Sequence, residues 1–123
     1  MTLREARCAY SVCIAELILY VVCLGKDYAI ALDEGTDRLT IKDPTSDHMA
    51  NSLHHIGLAQ DLLLYRKGVY LTSSAEYAFM GQFWKELGIK RNLPLVWGGD
   101  FLAADGTPKP DGNHFSLGWQ GSR

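Results

Sequence analysis

His54 and His55 stand side by side in the stretch SLHHIGLAQD, seven and six residues ahead of Asp61. About fifty residues later Asp111 and His114 form a second group. Imidazole nitrogen and carboxylate oxygen are the ligands zinc takes, and a catalytic zinc keeps three protein ligands and leaves its fourth position to water. Two histidines and one carboxylate satisfy that requirement. The separation of His54 from Asp61 would put their side chains on opposite faces of an uninterrupted strand. The chain must therefore bend between them, and Gly57 is the residue that permits it. The third ligand has to come from elsewhere, and His114, beside the carboxylate of Asp111, is the candidate. Residue types alone leave His48, His54 and His55 all open, and they also allow the histidine pair to be loop surface and Asp61 to be a strand end.

These side chains need elements to carry them. Leu3, Ala6, Tyr10, Cys13, Leu17, Tyr20 and Leu24 recur at three- and four-residue steps, which predicts one face of a core helix stopped by Gly25. Residues 28–32 predict a short strand, and a turn-rich loop follows over 33–51. Residues 58–65 and 69–71 predict two strands joined by a hairpin turn at Arg66-Lys67-Gly68. Thr72, Ser73 and Ser74 offer N-caps for a helix to about Leu87, with Ala75, Ala78, Phe79, Phe83 and Leu87 towards the core and Gly88 as its stop. Short strands are expected at 95–97 and 114–117, with a Pro/Gly loop over 105–113 delivering His114. This order predicts an α+β domain with a small antiparallel sheet.

The length of 123 residues suits one domain, and 47% hydrophobic with 21% charged residues is the composition of a folded protein. A net charge of −2, with acids and bases mixed throughout, provides no basic stripe for nucleic acid. Cys8, Cys13 and Cys23 are an odd number and make no disulfide framework, so they are expected to pack as small hydrophobes. The apolar run 8–24 follows Arg4 and Arg7 as a signal segment would. Glu16 in its middle and its shortness favour a structural helix over a cleaved or anchoring segment, so no stable membrane association is expected.

The pattern Ser52-x-His54-x-x-Gly57-x-Ala59-x-Asp61, then Trp97-Gly98-Gly99-Asp100, then Asp111-x-x-His114, resembles the zinc peptidases of the D-Ala-D-Ala carboxypeptidase and L-alanyl-D-glutamate endopeptidase family. In the phage endolysin branch the resemblance extends to the leading helix around 15–20, to Arg38 after Glu34 and to the hairpin over 62–71. It thus spans nearly the whole chain. It implies that His54, Asp61 and His114 hold one zinc ion, that Asp111 is the general base, and that Arg38 and Ser52 meet the substrate, a peptidoglycan stem peptide. His55 falls at an unconstrained position, and Trp97 is expected to pack. Gly35-Thr36-Asp37 lacks the aromatic residue that usually precedes the arginine. The expected activity is cleavage between L-Ala and D-Glu by a one-domain monomer, made in a host cytoplasm and acting on the periplasmic wall after release. The alternatives are a D-Ala-D-Ala carboxypeptidase or dipeptidase, and a non-catalytic tail or wall-binding module of the same fold.

Overall fold

The computed structural model describes residues 1–33 and 52–123; of the loop expected over 33–51, Asp33 belongs to a strand, and Arg38, His48 and the rest lie outside the described residues. Helix α1, Leu3–Val22, opens on a capping box in which Thr2 and Glu5 each bond the other's backbone N–H. Ala6, Tyr10, Cys13 and Leu17 are buried on the expected face, but the last turn buries Val21 while Tyr20 and Leu24 are half-buried, and the helix ends at Val22 with Cys23 as its C-cap, before it reaches Gly25. Strand β1, Tyr28–Asp33, lies antiparallel to β2, Ala59–Arg66. Lys67 and Gly68 both have positive φ, 51° and 79°, which gives the two-residue hairpin turn whose twist matches its strands, and β3, Val69–Tyr70, returns along β2. A 3-10 turn, Ser74–Tyr77, leads into α2, Ala78–Arg91; β4, Leu95–Trp97, and β5, His114–Leu117, complete an antiparallel sheet of order β1-β2-β5-β4. The fold is α+β, with both helices packed against the sheet and against each other.

Trp84 of α2 centres the core, with its ring edge-on to Tyr10 at 6.0 Å and to Phe115 at 5.8 Å. Buried aromatic residues with polar tips need partners for them. Trp84 Nε1–H donates to the Val96 carbonyl at 3.0 Å, and the Tyr10 hydroxyl donates to the Phe115 carbonyl at 2.8 Å. Burial pushes the Tyr10 phenol well above its ordinary pKa.

Helix α2 departs from expectation in phase and in length. Tyr77, Met80, Trp84 and Leu87 are its buried side chains, whereas Ala75 and Ala78 are exposed and Phe79 and Phe83 are half-buried, stacked on Tyr28 and Tyr20. Gly88 does not stop the helix, which continues to Arg91 and ends at Asn92 in the left-handed region. The missing side chain serves packing instead: a Cβ on Gly88 would lie 3.0 Å from the Leu93 carbonyl oxygen and 3.1 Å from Leu95 Cβ, where the chain folds back over the helix. Of the cysteines only Cys13 is buried; Cys8 and Cys23 lie on the exposed side of α1.

Candidate metal centre

His54 sits on a 3-10 turn, Leu53–Ile56, whose N-cap Ser52 accepts a hydrogen bond from the His54 N–H at 3.2 Å. Gly57 closes the turn at φ 80°, a conformation that costs glycine nothing, and so turns the chain into β2. Arg7 of α1 braces the same turn from outside. Its Nε–H donates to the Ile56 carbonyl at 2.7 Å, and a Cβ on Gly57 would stand 3.2 Å from that nitrogen.

The other two members come from the sheet. Asp61 of β2 lies directly opposite His114 of β5. The bond from the Leu62 N–H to the Asn113 carbonyl, 2.9 Å, puts the neighbouring Asp61 and His114 at a non-hydrogen-bonded position of the ladder, where facing side chains come closest.

The three side chains converge. His54 Nε2 is 3.2 Å from His114 Nδ1 and 3.4 Å from Asp61 Oδ1, and His114 Nδ1 is 3.7 Å from the same oxygen. Zinc bonded to nitrogen and oxygen at about 2.0–2.2 Å has ligand-to-ligand edges of about 3.3–3.6 Å in a tetrahedron. The observed triangle has those edges within a few tenths of an ångström, so the group fits a tetrahedral metal with one open corner. His114 is buried, while the side chains of His54 and Asp61 are 15% and 16% exposed. The Phe101 ring stands 5.2 Å from the His114 ring.

The structure thus brings together His54, Asp61 and His114. His55 belongs to the same turn, with its N–H on the Ser52 carbonyl at 3.0 Å, but does not join the cluster. Asp111 is exposed on the loop that enters β5; its N–H donates to the Gly98 carbonyl at 2.8 Å and its own carbonyl accepts from the His114 N–H at 3.1 Å. Together with Tyr70, Thr72, Ser74 and Asn113 it borders a polar cavity of about 110 Å³. Trp97 packs, as expected, and its Nε1–H also donates to the Gly112 carbonyl at 2.7 Å. Arg38 and His48 lie outside the described residues. Sequence reasoning missed Arg7 and Tyr10, whose hydrogen-bond partners are 49 and 105 residues away; no local pattern signals such contacts.

No family model and no curated protein sequence matches the chain. Among solved structures it is similar to the crystal structure of the Serratia marcescens L-Ala D-Glu endopeptidase ChiX, at 20% sequence identity and a TM-score of 0.58, over 85% of this chain and 79% of that one. At that identity the likeness is one of fold.

Proposed function

We propose that this protein is a zinc-dependent peptidase of the peptidoglycan stem peptide, cutting between L-Ala and D-Glu. The observation that carries the reading is the triangle of His54 Nε2, Asp61 Oδ1 and His114 Nδ1, with the edge lengths of three corners of a zinc tetrahedron. The fold shared with an L-Ala D-Glu endopeptidase supports the substrate class. A zinc ion held there supplies two things: it lowers the pKa of water at the open corner to about 7, and it polarises the scissile carbonyl.

The chain's own residues supply the rest. The Asp111 carboxylate takes the proton from the attacking water and returns it to the departing amine nitrogen, a role for which its place three residues before His114 suits it. Arg38 holds the D-Glu carboxylate through a bidentate pair, and Ser52, which caps the His54 turn, lends its hydroxyl to the substrate. Placement in the phage lytic branch, action as a monomer, and action on the periplasmic wall after release from a host cytoplasm belong to the same proposal, supported by the resemblance of the leading helix and hairpin.

Digestion of purified sacculi followed by mass spectrometry tests the reading. Stem peptides beginning with D-Glu, with L-Ala left on muramic acid, are expected. Release of D-Ala alone would make the enzyme a carboxypeptidase, and no release by zinc-loaded protein would leave a wall-binding module.

A further inference from the structure

Asp111 lies between Pro110 and Gly112 on an exposed loop, and glycine allows the backbone beside it more freedom than any other residue. The chain around that position is nevertheless held: Asp111 donates its own N–H to the Gly98 carbonyl, and its carbonyl accepts from the His114 N–H. The two peptide groups that meet at Gly112 are each gripped at one polar atom. Ser74 Oγ accepts from the Gly112 N–H at 2.9 Å, and Trp97 Nε1–H donates to the Gly112 carbonyl at 2.7 Å.

Sterics close the remaining space. A Cβ on Gly112 would lie 2.6 Å from Ser74 Cα, and one on Gly98 would lie 2.2 Å from the Asp111 carbonyl oxygen. Trp97 is itself confined, since a Cβ on either Gly81 or Gly99 would stand 2.2 Å from its ring. The glycines of Trp97-Gly98-Gly99 and of Asp111-Gly112 are therefore one packing arrangement that brings an indole N–H and a serine hydroxyl onto the two peptide groups either side of Gly112.

We propose that Ser74 and Trp97 are positioning residues that fix the two peptide groups meeting at Gly112 and through them the direction of the Asp111 side chain; the assignment rests on the peptidase reading above. His114 does not depend on this clamp in the same way, because it is buried in β5 and its register with Asp61 is set by the sheet. The effect of the clamp therefore falls on the base rather than on the metal ligands.

Ser74→Ala removes the acceptor and Trp97→Phe removes the donor while keeping a ring in the slot. With a synthetic stem peptide containing the L-Ala–D-Glu bond, each should lower kcat by about tenfold, since displacement of a catalytic group by about 1 Å costs up to about a hundredfold. KM should stay within about twofold of wild type, and so should zinc affinity, measured by competition with a chromogenic chelator. The double variant should lose less than the product of the two, because both loosen the same residue, Gly112. If Trp97→Phe fails to fold, Ser74→Ala decides alone. Unchanged kcat in an otherwise active enzyme, or zinc affinity falling in step with kcat, would overturn the clamp and leave the peptidase reading standing. A wild-type protein that binds zinc and cleaves nothing would overturn that reading and the clamp together.

Discussion

His54 and His55 are adjacent, yet only His54 reaches Asp61 and His114, because the 3-10 turn capped by Ser52 sends consecutive side chains in different directions. Elemental analysis of protein purified without chelator should give one zinc per chain. His54→Ala should abolish binding, whereas His55→Ala should leave it largely intact; the reverse would mean that the turn presents the other imidazole to the metal. Asp111→Asn is nearly isosteric and lies outside the triangle, so it should retain zinc and fold while its turnover falls by about 10²–10⁴, the usual contribution of a general base. Loss of metal in that variant would make Asp111 a ligand.

At the level of elements, α1 is a splint for the centre. Arg7 and Tyr10, three residues apart on one helical face, bond the Ile56 and Phe115 carbonyls, and each of those residues lies within two positions of a histidine of the triangle. Arg7→Ala should weaken zinc binding by about tenfold, the lower end of what outer-shell changes cost. Unaltered affinity in chelator competition would show that the turn holds its shape unaided. The same helix is tied to the end of α2 by the Arg91 guanidinium on the Glu16 carboxylate, which holds Glu16 below the ordinary carboxylate value of 4.5. A depressed carboxylate contributes stability that is present above pH 4.5 and is lost as pH falls through the folded-state value. The pair is exposed, so the effect is small and sensitive to salt. Urea titrations of Glu16→Gln should therefore run parallel to wild type above pH 4.5 and lose less stability below it; an identical acid limb would mean that the ion pair does not form in solution.

Across the whole molecule, the three side chains of the triangle come from a turn, from β2 and from β5, so a metal held there would join parts of the chain that unfolding separates. A ligand that binds only the folded state raises stability by about 2.7 kcal/mol at a free concentration one hundred times its Kd. Calorimetry should show the melting temperature rising with added zinc and falling with chelator, and His114→Ala should remove the response. A melting curve indifferent to zinc would place the metal outside the folding equilibrium.

Much of this was legible in local chemistry. Most of the buried face of α1, a hairpin turn within Arg66-Lys67-Gly68 and the bend at Gly57 are consequences of residues close in sequence, and the structure has each of them. The end of α2 was not, because Gly88 reads as a stop unless one knows that Leu93 and Leu95 fold back onto it. Residue types left the choice among histidines open and the motif resemblance pointed to His54; the register of Asp61 against His114, with the His54 turn braced by Arg7, is what brings that imidazole rather than that of His55 to the triangle. The sequence by itself determined which atoms could bind a metal and which elements would carry them. Tertiary structure alone decided which of those atoms meet, because contacts across 49 to 105 residues depend on packing and strand register, which no local pattern encodes.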